Sequence, residues 1–216
     1  MRKFILSAMI MAGSVASVLA QTDAKAKAIL AEVSRKYRAY DVIKTDFTFT
    51  LDNPQAKIKE TQAGTLYARS KANKYKVVLK SQELISDGKN QWTYLKADKE
   101  VQLSAVDNSP NALNPAQIFT IYEKGFKYLY TGDSKVNNRM VHTIDLTPLD
   151  TKRNFFKVRL NIDKLTKQIS NATIFEKNGN RYTYAIRTFT PNVKVPESTF
   201  AFDVKKYPGV ELVDLR

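Results

Sequence analysis

Along the chain, the spacing of apolar positions first follows the turn of a helix and then the alternation of strands. Between residues 23 and 40, Ala26, Leu30, Val33, Tyr37 and Tyr40 recur at steps of four and three, with Lys25, Lys27, Glu32, Arg35, Lys36 and Arg38 between them. That spacing predicts one long helix with a single buried stripe. From Thr45 the period drops to two. Phe47, Phe49 and Leu51 alternate with Asp46, Thr48 and Thr50; Tyr75, Val77 and Leu79 oppose Lys74, Lys76 and Lys80, Val78 apart. Such alternation predicts half-buried antiparallel strands.

Turn chemistry divides the rest. Asp87-Gly88-Lys89-Asn90, Ala97-Asp98-Lys99 and Asn178-Gly179-Asn180 each separate two short apolar runs and predict hairpins. Further strands fit residues 61–69, 125–130, 140–147, 155–162 and 199–204. The meander breaks once, at the loop Asn108-Ser109-Pro110-Asn111. Asn114-Pro115 then predicts a cap and first turn for a short helix over 116–124, apolar at Ile118, Phe119, Ile121 and Tyr122 and closed by Gly125. A sheet of about eleven strands must curl to manage its edges. The expected fold is therefore mainly β with α: a single antiparallel, incompletely closed β-barrel of about eleven strands, with the N-terminal helix and the short helix covering its concave apolar face. Residues 21–216 read as one domain.

The first twenty residues read as an export signal. Arg2 and Lys3 precede an uncharged run from Phe4 to Val18, and Val18-Leu19-Ala20 offers a cleavage site after Ala20. The run is short for a bilayer core that needs about 20 residues. Export takes the protein out of the cytoplasm. Removing the segment leaves 33 Lys+Arg against 21 Asp+Glu. In an exported protein that charge points to lipid head groups or acidic partners and away from nucleic acid.

Composition removes much chemistry. The chain has no cysteine and one histidine, His142, so thiol nucleophiles, thiolate metal sites and multi-histidine centres are excluded. Alternation puts His142 on an apolar face with Met140, Ile144 and Leu146, and no motif supplies a nucleophile for it. No phosphate-binding or nucleophile-elbow motif occurs, and no cofactor is implied. The acids fall in turns or on polar strand faces. A pair of carboxylates acting on a glycan stays as an alternative to a non-enzymatic binding protein.

Eleven Phe, eleven Tyr and Trp92 instead supply apolar surface. A barrel of this size has room for a ligand as well as for its own side chains, although a filled core fits the same pattern. Strand parity and the short helix predict a cavity lined by Phe47, Phe49, Leu66, Val77, Leu79, Trp92, Tyr94, Ile118, Phe119 and Ile121. Lys74, Lys76 and Lys80 point the other way and form a candidate docking patch.

Ser86-Asp87-Gly88-Lys89-Asn90-Gln91-Trp92-Thr93-Tyr94 resembles a hairpin of the LolA outer-membrane lipoprotein carriers. The opening helix, Gly64-Thr65-Leu66-Tyr67, Leu146-Thr147-Pro148 and the ending from Phe200-Ala201-Phe202 to Pro208-Gly209-Val210-Glu211-Leu212-Val213-Asp214 follow in that family's order. The resemblance implies a monomeric periplasmic chaperone that carries acylated lipoproteins from the inner to the outer membrane. It also implies as partners a LolCDE-like release complex and a LolB-like receptor. A latch arginine of the family would correspond to Arg69 or be replaced by Lys71, but Arg69-Ser70-Lys71-Ala72 lacks the family's proline after the arginine. Alternatives on other grounds are a carrier or sensor of another lipid on the same fold, an exported glycan hydrolase, and a filled scaffold barrel.

Overall fold

The computed structural model describes residues 23–107, 109 and 115–216. The expected signal segment, most of the 108–114 loop and the Asn114 cap lie outside the described residues. Helix α1 covers 23–39, as its apolar stripe predicts, and buries Ala26, Leu30, Val33 and Tyr37. Twelve strands follow: β1 Ile43–Asn53, β2 Ile58–Arg69, β3 Lys74–Leu79, β4 Gln82–Ser86, β5 Asn90–Leu95 and β6 Glu100–Ala105, then β7 Phe126–Val136, β8 Arg139–Pro148, β9 Phe155–Asp163, β10 Ile169–Glu176, β11 Arg181–Pro191 and β12 Glu211–Asp214. They form one sheet in the order β12-β6-β5-β4-β3-β2-β1-β11-β10-β9-β8-β7. β7 and β12 are its two free edges, so the barrel stays open. Every pairing is antiparallel except that of β12 with β6, which is parallel.

Three expectations change. The twelfth strand is β12, whereas 199–204 forms no strand: Glu197–Phe200 and Val204–Lys206 are 3₁₀ turns. Asp203 accepts the Lys205 N–H and starts the second turn. The alternation of Phe200 and Phe202 is used in packing on the sheet's outer face. The expected short helix is likewise two 3₁₀ turns, Pro115–Gln117 and Ile121–Glu123. Thr120 breaks it at φ −132°, and both its N–H and its hydroxyl donate to the Gln117 carbonyl.

The Asp87-Gly88 turn shows why that tetrapeptide is specific. Asp87 Oδ1 accepts the Lys89 and Asn90 N–H groups, each at 2.8 Å. Burial alone would raise the Asp87 carboxyl, but those bonds hold it below its ordinary range. Gly88 adopts φ +98°, and a Cβ there would lie 2.6 Å from the Ala72 carbonyl oxygen. The turn thus locks the β4–β5 hairpin against the β2–β3 connection.

Candidate functional site

On the concave side, α1 shares one apolar cluster with Ile144, Leu146, Val158, Leu160 and Ile162 of β8 and β9. Tyr37 joins this cluster to the covering segment 115–123. Its ring stacks on Phe119 at 4.8 Å between centroids, and its hydroxyl accepts the Ile169 N–H at 3.0 Å. Burial pushes the Tyr37 phenol well above its ordinary pKa.

Beside this filled region the concave face is hollow. A cavity of roughly 330 Å³ lies over β1–β4, β10 and β11 and beneath 115–119, within the size range of small-molecule sites. Phe47, Phe49, Leu66, Val77, Leu79, Leu84, Tyr184 and Ile186 form its floor and walls, and Ile118 and Phe119 its cover. Its lining contains no charged side chain; Thr45, Gln62 and Gln82 are polar, and the Thr45 hydroxyl is turned to the Thr188 carbonyl at 2.8 Å. Burial pushes the Tyr184 phenol up to about 12, which keeps it neutral at any physiological pH. Such a surface can hold hydrocarbon without presenting a charge or a fixed polar anchor.

The register explains the cavity floor. Phe47 pairs with Gly64 and Gly64 with Leu79, while Leu66 pairs with Val77 and Val77 with Leu84, so two adjacent rows of inward positions together cross β1–β4. A Cβ on Gly64 would meet Leu79 Cδ2 at 2.6 Å and Phe47 Cζ at 2.7 Å. The glycine lets both side chains lie down over the backbone, and the hollow depends on that.

Of the ten residues expected around a cavity, Phe47, Phe49, Leu66, Val77, Leu79, Ile118 and Phe119 line this one. Trp92, Tyr94 and Ile121 do not. Trp92 pairs with Ile85 and Leu103, and Tyr94 with Glu83 and Val101, all on the outer face. There the C-terminal segment covers them: Tyr94 packs against Phe202 and Tyr207 at 5.9 and 4.8 Å, and Phe200 is buried. On β5 and β6 the apolar side is the outer one, and Gln91, Thr93, Glu100, Gln102 and Ser104 face the concave side, so taking the apolar face of these strands as the concave one assigned the wrong side. Ile121, which opens the second 3₁₀ turn, is not part of the lining.

The basic residues are also engaged. Arg69 faces outward, bonding Glu197 and lying over the Phe200 ring at 5.3 Å, with Asp41 at 3.4 Å. Lys74 bonds Glu197 at 2.8 Å and Lys76 bonds Glu83 at 3.0 Å. Lys71 and Lys80 are exposed. Arg69 thus ties down the C-terminal segment, and the contact with the cavity cover comes from its neighbour: Ser70 Oγ donates to the Ala116 carbonyl at 2.5 Å. The cover is further held by the Arg38–Glu123 ion pair and by Ser34 bonded to the Tyr122 hydroxyl. Sequence reasoning missed Ser70, Arg38 and Glu123, whose only signal was their proximity to the covering elements.

His142 keeps its place beside Ile144 on the concave side. Its Nδ1 lies 2.8 Å from Asp133 Oδ1, and Asp133 also accepts from Lys164 and the Tyr130 hydroxyl. The Lys164 bond, then the Tyr130 bond, hold the Asp133 carboxyl far below its ordinary range. No helix among the described residues is long and apolar enough to cross a membrane.

Comparison with known proteins places this geometry. An uncharacterized conserved protein from Thermus thermophilus is similar at a TM-score of 0.54 and 15% identity, over 88% of this chain and 99% of that one. A LolA superfamily protein from Nitrosomonas europaea is similar at a TM-score of 0.46 and 10% identity, over 83% and 98% of the two chains. A chain of the Pseudomonas aeruginosa MucA/MucB complex is similar at 0.44 and 14%, over 84% of this chain and 61% of that one. No curated protein matches. A sequence model described as outer membrane lipoprotein carrier protein LolA matches residues 38–203, well over half of the chain, and the chain belongs to the LolA family.

Proposed function

We propose that this protein is a periplasmic carrier that takes the acyl chains of lipoproteins into the hollow over β1–β4 and conveys them from the inner to the outer membrane. The observation that carries this reading is the uncharged, aromatic-lined cavity beside a buried apolar cluster. Hydrocarbon is worth about 0.8 kcal/mol per buried CH₂, so an acyl chain leaves a bilayer only for a comparable apolar interior. The cover at 115–123 is fastened by a few polar contacts and one ring stack, and releasing Ser70–Ala116 and Arg38–Glu123 would widen the hollow for a longer chain. The signal at 1–20 supports export, with cleavage after Ala20.

Filling the hollow from its floor tests this. Gly64→Leu should drive Phe47 and Leu79 into the cavity while leaving the sheet paired, a point checked by circular dichroism. Mass spectrometry of organic extracts, and release of acylated lipoprotein from inner-membrane preparations, should show at least a tenfold loss of bound and released cargo on the scale of a lost apolar site. Equal occupancy in a folded Gly64→Leu variant would refute the cavity as the cargo site. A non-lipoprotein lipid in the wild-type extract would assign the hollow to that lipid.

A further inference from the structure

The β9–β10 hairpin has an unusual tip. Leu165 is 90% exposed, the most exposed large apolar side chain among the described residues. Its projection is built and not frayed: Asp163 Oδ1 accepts the Leu165 and Thr166 N–H groups at 2.9 and 2.8 Å, and the Asp163 N–H donates to the Gln168 carbonyl at 2.8 Å. Met140, 50% exposed, lies next to it, with its carbonyl accepting the Lys164 N–H.

Cations surround this tip. Lys164 bonds Asp133, Arg139 approaches Asp163 at 3.6 Å, and Lys135 pairs with Met140 across β7–β8. From α1, Lys36 donates to the Thr166 carbonyl and Lys25 lies over the Tyr130 ring at 3.9 Å, and Lys167 of the hairpin approaches Glu32 of α1 at 4.0 Å. Glu32, Asp133 and Asp163 are the acids that face them, and they are outnumbered two to one. A rigid apolar tip within a ring of lysines has the arrangement that suits an interface of anionic head groups over hydrocarbon.

We infer that the β9–β10 hairpin is a membrane-contact element, with Leu165 entering the head-group layer of an anionic bilayer and the lysine ring holding it there. This inference is independent of the cargo reading. The hairpin runs directly into Ile169, which lines the cavity and bonds Tyr37, while Lys36 grips Thr166 from α1. Contact at the tip would therefore be made by the element that borders the hollow.

Flotation with phosphatidylglycerol vesicles and with phosphatidylcholine vesicles tests the inference, comparing wild type with variants that share the same N-terminus. Wild type should partition to phosphatidylglycerol and be released by salt. Leu165→Ser should weaken partition by roughly tenfold. Lys135→Glu with Lys167→Asn should weaken it by about fivefold per charge removed; asparagine suits the left-handed φ of +55° at 167. Because the chain lacks cysteine, Leu165→Cys accepts a single environment-sensitive dye. Its emission should shift to the blue on phosphatidylglycerol, whereas the same dye on Asn178→Cys, at the opposite end of β10, should not respond. Equal partition of wild type and Leu165→Ser, or a dye at 165 that stays in water while the protein floats, would overturn the inference. Retention on a soluble polyanion without flotation would do so as well, assigning the ring to an acidic protein.

Discussion

The two halves of the concave face are built from the same kind of strand and end in different states. Over β8 and β9 the stripe of α1 reaches the sheet, and Ile144, Leu146 and Ile162 have no exposed surface. Over β1–β4 the cover is only the 115–123 segment, whose Ile118 and Phe119 roof the space without filling it, and Phe49, Leu79 and Leu84 keep part of their surface open. Alternation is equally regular in both. What differs is the length of the element laid across the face, so a hollow in this fold is a matter of coverage and not of strand composition.

Cutting the same side chain in each half should expose that contrast most strongly. Leu146→Ala should cost about 2–5 kcal/mol in urea unfolding, because it opens a void in close-packed surroundings. Leu84→Ala should cost less than about 1 kcal/mol, because its side chain already borders empty space. Equal losses would mean that the hollow is closed in solution.

A smaller effect concerns the polar edge of the filled half. The folded Asp133 carboxyl lies below its unfolded value through Lys164, Tyr130 and His142. Its contribution is whole above the unfolded carboxylate range near about pH 4 and is lost as pH falls below it. Asp133→Asn should therefore lower the thermal midpoint at neutral pH and flatten its decline between about pH 5 and about pH 2. An unchanged acid limb would show that the cluster holds nothing together.

The smallest expected signal separates the sheet's two sides. Trp92 lies on the outer face, so saturating acylated ligand should leave its emission unchanged. A Phe49→Trp reporter in a Trp92→Phe background should respond. A response from Trp92 alone would return the ligand to the outer face.

Much of this molecule was legible in the chain. The stripe of α1 and the alternation of β1 and β3 follow from period, and Asp87-Gly88 follows from the need for a positive φ. Parity also placed Phe47, Phe49, Leu66, Val77 and Leu79 on the hollow side. It failed at Trp92 and Tyr94 because the apolar side of β5 and β6 is the outer face, with Gln91, Thr93, Gln102 and Ser104 on the concave one. Ile85, Val101 and Leu103 need the C-terminal segment to cover them, and a period of two says nothing about which face a distant segment will choose.

The sequence by itself therefore determined strands β1–β11, the one long helix among the described residues, the turn glycines and the absence of thiol or multi-histidine chemistry. These depend on local periodicity and on residue types, which act over a few neighbours. The tertiary structure alone decided where α1 stops covering the sheet, which face of β5 the C-terminal aromatics take, and that Ser70 rather than Arg69 holds the cavity's cover. Each of those depends on contacts between residues tens of positions apart, whose energy is set by packing and register and leaves no local pattern.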